Sequence, residues 1–452
     1  MKKAKLVIWA AFLLYANAGF SQRTLTLAEC QRLALANNVA MKISRLEQAA
    51  AAYIRIKART NYFPDVSAGA IYFDASKALM EIKTAGGNLP VYDGNPLHLP
   101  TATQFAYFPS STTSLLQEGK IGYIDILQPI YSGGRILNGN RLASLAEDVS
   151  GEKSKLVAKE IQLKTEEQYW QIVSLADKKG TVDKYEELLH RLSGQVEDAF
   201  ASGLVMCNDV LKVKLKQSEV LLKKSKLENG RKLAMMAFCQ YIGIPFDSTL
   251  VLAASWPKID SPASYYVDPQ TTLRNRSEYR LLEKSLRAEK LQTRMKRGEW
   301  MPQVGIGSRT MVTKFDEGNR RTMAVFFGMI SIPISDWIGG AAELEERSVK
   351  EEIAATNLQN HSELLLLQME KAWQDFNDSY RQVQLNEEAK AQAEENLKVN
   401  EDSYRNGLTS ITDLLEAQAL VQQSVDGFID SHVDYIIKQR RYVQMINEER
   451  TD

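Results

Sequence analysis

The stretch Leu127-Gln128-Pro129-Ile130-Tyr131-Ser132-Gly133-Gly134 decides how this chain is read. Ahead of it, Lys120 to Tyr131 alternates with β-branched and aromatic residues at period two, the pattern of a strand. Pro129 sits where that strand closes, because proline is tolerated only near strand ends and edges. After the two glycines, residues 135–200 contain no proline. The same corner returns as Ser331-Ile332-Pro333-Ile334-Ser335, with Gly339-Gly340 shortly after, and Pro129 and Pro333 lie 204 residues apart.

Other pairs follow in order. Phe200-Ala201-Ser202-Gly203-Leu204 with Asp209-Val210-Leu211 matches Tyr404-Arg405-Asn406-Gly407-Leu408 with Asp413-Leu414-Leu415, again at an offset of 204. Tyr62-Phe63-Pro64-Asp65-Val66 matches Trp300-Met301-Pro302-Gln303-Val304 at an offset of 238, so the first half carries an insertion after this point. Ordered matches at a fixed offset indicate a duplicated architecture. In each half a helix ends ahead of Pro64 or Pro302. Strands are predicted over Val66 to Phe73 and Lys120 to Tyr131, then over Val304 to Val312 and Thr322 to Ile334. The first strand pair falls within 64–131 and the second within 302–334, each followed by a Gly-Gly pair opening a long helix.

Those helices, 135–200 and 341–405, would each span roughly 100 Å at 1.5 Å per residue. Leu366, Met369, Trp373, Phe376, Tyr380 and Val383 are spaced 3, 4, 3, 4, 3, a heptad seam. In the first half Tyr169, Ile172 and Ala176 take the equivalent register. Shorter helices read at 27–60 and 209–240 together match the length of 135–200. Those at 268–298 and 413–449 do the same for 341–405. Two short helices stacked end to end against one long one describe a tube wall of constant height. The repeats are 22–250 and 268–452, joined by a linker at 251–267. The fold class is α+β.

Composition bounds the rest. The chain has 452 residues, 56 Lys+Arg against 56 Asp+Glu, 44% hydrophobic and 25% charged residues. Its length alone suggests two or three domains, and its composition is that of a folded chain. A balanced charge lacks the basic footprint of nucleic-acid binding. Lys2, Lys3 and Lys5 precede the apolar run Leu6 to Ala18, with small residues at Ala16, Ala18 and Ser21, so residues 1–21 read as a secretory signal. Its removal leaves 53 Lys+Arg against 56 Asp+Glu, a net charge of −3. Beyond residue 21 no run of 18 apolar residues occurs, which excludes a spanning helix but not a barrel of strands. Cys30, Cys207 and Cys239 have no CxxC spacing, and Cys30 and Cys239 read as buried small hydrophobes. The four histidines, His98, His190, His361 and His432, are scattered, and no HExxH, GxSxG or P-loop occurs.

Thr24-Leu25-Thr26-Leu27-Ala28-Glu29 and Ala34-Leu35-Ala36-Asn37-Asn38 resemble the amino-terminal signature of TolC-type outer-membrane efflux proteins. So do Tyr62-Phe63-Pro64, the Gln128-to-Arg135 corner and the two Gly-Leu turns. The resemblance covers both repeats. It implies a homotrimer in which each chain gives four strands to a twelve-stranded barrel continuous with a long periplasmic helical coiled-coil barrel. It also implies docking to an inner-membrane transporter and a periplasmic adaptor protein, with outer-membrane lipid around the strands and neither cofactor nor metal. Four strands cannot close a barrel, and open edges cannot sit in lipid, so oligomerisation is required if they span a membrane.

Residues 75–118, rich in Pro, Gly, Ser and Thr with aromatics at Tyr92, Phe105, Tyr107 and Phe108, read as a long extracellular loop. The turn from Lys314 to Arg321 is short and charged. At the helix turns, Gly203-Leu204 and Gly407-Leu408 supply left-handed caps, and on the resemblance they are adaptor contacts. Asp209 and Asp413 start the next helices, where a carboxylate complements the dipole. The resemblance aligns Asp413 and Glu416, three apart and on one helix face, with an acidic ring at the periplasmic entrance. It aligns Tyr404 and Asp209 with a latch that holds the entrance shut. The latch's usual arginine falls on Thr409, a departure that leaves the charged latch without its partner. These residues point to a passive exit duct of a tripartite efflux or type I secretion system, and not to an enzyme. The alternative is a periplasmic coiled-coil scaffold or adaptor that never enters the membrane.

Overall fold

The computed structural model describes residues 24–446 apart from 254 and 317. The signal-like segment 1–21 and residues 447–449 of the last expected helix lie outside the described residues. Along the chain run β1 (Thr24–Leu25), α1 (Leu27–Asn37), α2 (Val39–Thr60), β2 (Asp65–Asp74), β3 (Met80–Thr84), β4 (Gly87–Pro90), β5 (Phe105–Phe108), β6 (Ser111–Leu115) and β7 (Glu118–Ser132). Then follow α3 (Arg135–Ala201), α4 (Cys207–Ile242), β8 (Val251–Leu252), α5 (Pro269–Thr272), α6 (Ser277–Glu299), β9 (Gln303–Phe315), β10 (Arg321–Ser331), α7 (Asp336–Arg405) and α8 (Ile411–Ile446). The long helices α3 and α7 have 67 and 70 residues.

Several boundaries differ from those read in the sequence. The helix expected over 27–60 breaks at Asn38, whose side chain accepts from Ala40 N–H at 2.8 Å and donates to the Tyr241 carbonyl at 2.8 Å. Both bonds reward leaving the helix, as short amide side chains do. The helix expected over 268–298 is likewise divided, between α5 and α6. The long helix expected from 341 begins at Asp336, so Gly339 and Gly340 lie inside it rather than opening it. Gly340 has a packing reason to be there: a Cβ on it would meet the Trp300 ring at 2.6 Å. Pro333 lies two residues past β10, whereas Pro129 lies within β7 at a register shift against β9, where the missing N–H interrupts no ladder bond. The 75–118 loop is not featureless, for β3 pairs β6 and β4 pairs β5 within it.

The chain divides into two compact units, each drawn from both halves of the sequence. Of the described residues, the first comprises 24–51, 146–286 and 353–446. Thr26 caps α1 through a reciprocal box with Glu29. One core joins Cys30, Tyr169, Trp170, Phe238, Phe376, Tyr435 and Tyr442. Burial pushes the Cys30 thiol up to about 12, the behaviour of an inert core thiol. Met369, Phe376 and Val383 of the α7 seam are buried. Ala176 is exposed, contrary to the register read for α3, and the seam resumes at Val182, Leu189, Leu192 and Val196.

The linker 251–267 is part of this core. β8 pairs in parallel with β1, and Trp256 stacks on Trp170 with ring centroids 5.1 Å apart. The Tyr435 hydroxyl donates to the Asp260 carbonyl at 2.7 Å and accepts from Asp260 N–H at 3.0 Å. The Tyr442 hydroxyl accepts from Val267 N–H at 3.1 Å. Both contacts, and that of His432 with the Pro257 carbonyl, span 175 residues, so the linker advances in step with α8. Tyr435→Phe should therefore cost about 1–3 kcal/mol of stability, because it leaves two backbone groups of Asp260 without their partner. Denaturant unfolding is the check, and a variant as stable as wild type would count against the linker being fixed this way.

The second unit comprises Ala52–Leu145 and Arg287–Glu352. Its sheet is antiparallel in the order β10–β9–β7–β2, so β2 and β10 are edges. Direct register partners share a face. One face carries Asp125 and Arg309, joined by a two-pronged ion pair of 2.5 and 2.8 Å. On that same face the rings of Tyr123, Phe73 and Phe327 lie over Gly69, Gly119 and Gly307 of neighbouring strands, where a Cβ would clash. The other face bears Val66, Ala70, Ile124, Ile306 and Phe326 and has no charge between the level of Gln128 and that of Lys120. Those eight residue steps measure about 27 Å along the strand.

Candidate functional site

Two places in the described chain concentrate features that packing alone does not require. One is the pair of helix turns in the first unit. Both are closed by the same motif. Gly203 and Gly407 have φ of +73° and +71°. Leu204 N–H bonds the Ala199 carbonyl at 2.9 Å, and Leu408 N–H bonds that of Ser403 at 2.8 Å. These are the six-to-one bonds of a glycine-terminated helix end. In such a cap the residue after the glycine commonly packs back on the helix. Here Leu204 and Leu408 are each 80% exposed. Two apolar side chains are thus held out at equivalent points of the two turns, beside an exposed Met206.

The core beneath the turns is formed by Val182, Leu189, Val196, Val213, Ile411 and Leu414, with Tyr404 partly buried against it. Burial, followed by the charge of Asp209, pushes the Tyr404 phenol up. Asp209 is thus near enough for its charge to act on Tyr404, but no hydrogen bond joins the two among the described residues. Thr409 does not join them, for its hydroxyl donates to Asp413 at 2.9 Å. Asp413 Oδ2 also accepts from Ser410 N–H at 3.1 Å and from the Ser410 hydroxyl at 2.7 Å. Ser410 and Asp413 form a capping pair at the start of α8. These donors, the Ser410 hydroxyl foremost, hold the Asp413 carboxyl below its usual range. Its folded pKa being depressed, the contribution to stability is present at neutral pH and is lost as pH falls through the folded value. Glu416 is exposed on the same helix.

Lys212 was missed in the sequence. Its ammonium lies 3.3 Å from Asp209 and donates to Thr412 Oγ1 of α8 at 2.9 Å, tying the start of α4 to the start of α8. Its place three residues after Asp209 was the available signal. Further along, Lys178 pairs with Asp430 at 2.6 Å and Lys223 with Asp426 at 2.8 Å.

The second place is the sheet. Every residue of β10 is exposed, Phe326 at 82%. At the end of the strands where the chain enters and leaves the helices stand exposed aromatics: Tyr62, Phe63, Tyr131 and Trp337. The loop end carries Tyr72. The structure places Pro64 and Pro302 immediately before β2 and β9, at this helical end. Among the described residues, no helix is long and apolar enough to cross a membrane.

Apolar seams are also left over on the helices. On α7 the exposed Ile353, Leu364, Leu367, Leu385 and Val399 are separated by 11, 3, 18 and 14 residues, all sums of 3 and 4. On α4 Leu211, Leu215, Leu222, Leu233 and Met236 follow the same rule. α7 therefore carries a second heptad seam beside the one buried within the chain.

Comparison with known proteins gives these features a context. Residues 269–445 match the family model described as outer membrane efflux protein. No curated protein matches the chain by sequence. The CmeC outer membrane channel of Campylobacter jejuni is similar in structure, with TM-score 0.73 and 13% identity over 93% of this chain and 85% of that one. VceC, an outer membrane protein of Vibrio cholerae, gives TM-score 0.70 and 12% identity over 93% and 95%. The Neisseria gonorrhoeae MtrE outer membrane channel, in its open state, gives TM-score 0.70 and 11% identity over 93% and 88%. At these identities the likeness is one of fold. The resemblance to outer-membrane efflux proteins read from the sequence holds, in sequence over 269–445 and in fold over nearly the whole chain.

Proposed function

We propose that this chain, similar to outer membrane efflux proteins over residues 269–445, is one third of a passive exit duct in the outer membrane of a Gram-negative bacterium. Three copies would close their four-stranded sheets, β10 of one against β2 of the next, into a twelve-stranded barrel. Their duplicated helical hairpins would form the periplasmic tunnel of a tripartite efflux or type I secretion system. The observation that carries this reading is the sheet, with two open edges, a charge-free face and aromatics at both ends. An open sheet of this kind is stable in lipid only when its edges are paired. The unpartnered seams on α4 and α7 support the same ring, since each helix of a closed wall needs two neighbours. Detergent-solubilised protein should sediment as a trimer, recovered from the outer membrane. Recovery as a soluble periplasmic monomer would favour the scaffold reading instead.

The helix turns would be the periplasmic tip. Leu204 and Leu408 would meet the adaptor, and the inner-membrane transporter would supply the energy. Asp413 and Glu416 from three copies would place about six carboxylates around the entrance and focus a negative potential there. The double variant Asp413→Asn/Glu416→Gln keeps the cap's hydrogen-bonding atoms and removes the charge. It should lower the cation-to-anion permeability ratio in planar bilayers, and an unchanged ratio would refute the ring. In the latch, Lys212 takes the place of the arginine that Thr409 does not supply. Lys212→Ala should raise the mean conductance of single channels by loosening the tie to Thr412. A conductance equal to wild type would leave the latch without its cation.

A further inference from the structure

The charge-free face of the sheet ends, toward the loops, in a basic row. Tyr72 of β2 pairs in register with Lys120 of β7, and Lys120 with Lys314 of β9. Arg320, the residue before β10, extends the row past Lys314 because Arg321 pairs with Thr313. All four side chains are exposed. With Ala70, Gly122 and Val312 they line a groove of about 670 Å³. The Lys120 ammonium lies 5.5 Å from the centre of the Tyr72 ring and 3.0 Å from the Glu118 carboxylate. Glu118 and its register partner Asp74 form the next row outward. Among the described residues, no carboxylate lies within ion-pair distance of Lys314 or Arg320.

We propose that this groove binds the phosphorylated headgroup of a multi-acyl glycolipid in the outer leaflet. The site rests on the outer-membrane reading of the sheet. Acyl chains would lie along the charge-free face, which is continuous with the groove on β2, β7 and β9. The headgroup phosphate would then stand at the level where that face ends, and the basic row is there. Among the described residues, Lys314 and Arg320 are the cations of the row that no carboxylate pairs. Lys120, shared with Glu118 and Tyr72, closes its side. Arg320 offers a two-pronged donor fork suited to phosphate oxygens, and Lys314 a point charge. The opposite face of the same strands has no such row: its mid-strand charges, Asp125 and Arg309, neutralise one another. Aromatic residues at the same level, here Tyr72, are characteristic of the boundary between acyl chains and headgroups.

The test uses the full-length protein in detergent, titrated with bisphosphorylated lipid A and, separately, with the same lipid after enzymatic dephosphorylation. Bound lipid is counted by native mass spectrometry. Wild type should bind the phosphorylated form preferentially. Lys314→Gln/Arg320→Gln should bind it roughly 30-fold more weakly, at about 1 kcal/mol per cation. Equal binding by wild type and the double variant overturns the proposal, as does equal binding of the two lipid forms. Displacement by inorganic phosphate at concentrations equal to the lipid's overturns the glycolipid assignment in favour of a plain anion site. Channel formation in phospholipid bilayers is scored in parallel. A double variant that conducts like wild type but has lost the lipid upholds the site. A wild type that forms no channel overturns the duct reading itself, and this site with it.

Discussion

Gly133→Ala should strip the second unit of much of its stability. Gly133 has φ of +63°, a conformation costing other residues about 1–2 kcal/mol. A Cβ there would stand 2.2 Å from the Gly298 carbonyl oxygen and 2.8 Å from that residue's Cα and carbonyl carbon. The approach is reciprocal, since a Cβ on Gly298 would stand 2.4 Å from the Gly133 oxygen. No side-chain rotation relieves a clash between two backbones, so the overlap adds about 1–3 kcal/mol. Gly134→Ala is the matched control. Its φ is +78°, but its Cβ would meet only Asn138 Nδ2, at 3.5 Å. Thermal unfolding followed by circular dichroism should place Gly133→Ala well below Gly134→Ala, and both below wild type. If the two alanine variants melt together, the Gly133–Gly298 approach is not what holds the strand ends to the helices.

Phe326→Arg should prevent assembly in the outer membrane while leaving the helical unit folded. Phe326 is 82% exposed on the charge-free face, paired with Ser308 and flanked by Ala324 and Gly328. In water, an arginine at so exposed a position would be neutral or favourable. Facing lipid, level with Ile126 and two residue steps inside the Gln128 end of that face, it costs up to about 2–4 kcal/mol, incurred three times over if the chain forms a trimer. The same substitution therefore has opposite expected signs under the duct and scaffold readings. Recovery of the arginine variant in the outer-membrane fraction at wild-type yield would refute the assignment of this face to lipid. A Val325→Arg variant serves as comparison. Val325 lies on the other face, in register with Arg309 and, one strand further on, Asp125, where under the duct reading water would hydrate the charge and Asp125 would offset it.

Much of this was legible because it is local. The strand signals around Pro129 and Pro302 rest on period-two alternation, and the glycine caps at 203 and 407 on a conformation that glycine adopts at little cost. The heptad seam through Met369, Phe376 and Val383 survives because a coiled-coil partner must meet every such residue. What the sequence obscured was contingent on neighbours distant along the chain. Ala176 continues the α3 spacing yet is exposed, while Ile172 and Val173 just before it are buried. Asn38 looks like an ordinary helix residue until Tyr241 supplies the carbonyl that rewards the break. Gly339-Gly340 resembles Gly133-Gly134 in composition, but the first pair is helical and the second left-handed. Trp300 packs against one, and the Gly298 backbone against the other.

The candidate site divides in the same way. The sequence by itself determined which residues stand at the helix turns, that two long helices carry apolar seams, and that four strands alternate without closing on themselves. Each of these follows from periodicity or from the φ preference of one residue. Only the tertiary structure decided which face of the sheet is free of charge, that Lys120, Lys314 and Arg320 form one row, that Asp413 is held by Ser410 and Thr409, and that Lys212 ties the two turns. Those facts depend on strand register and on helix rotation, set by contacts between residues up to about two hundred positions apart. Shifting a strand by one residue would carry every side chain to the opposite face, so no local pattern could have specified them.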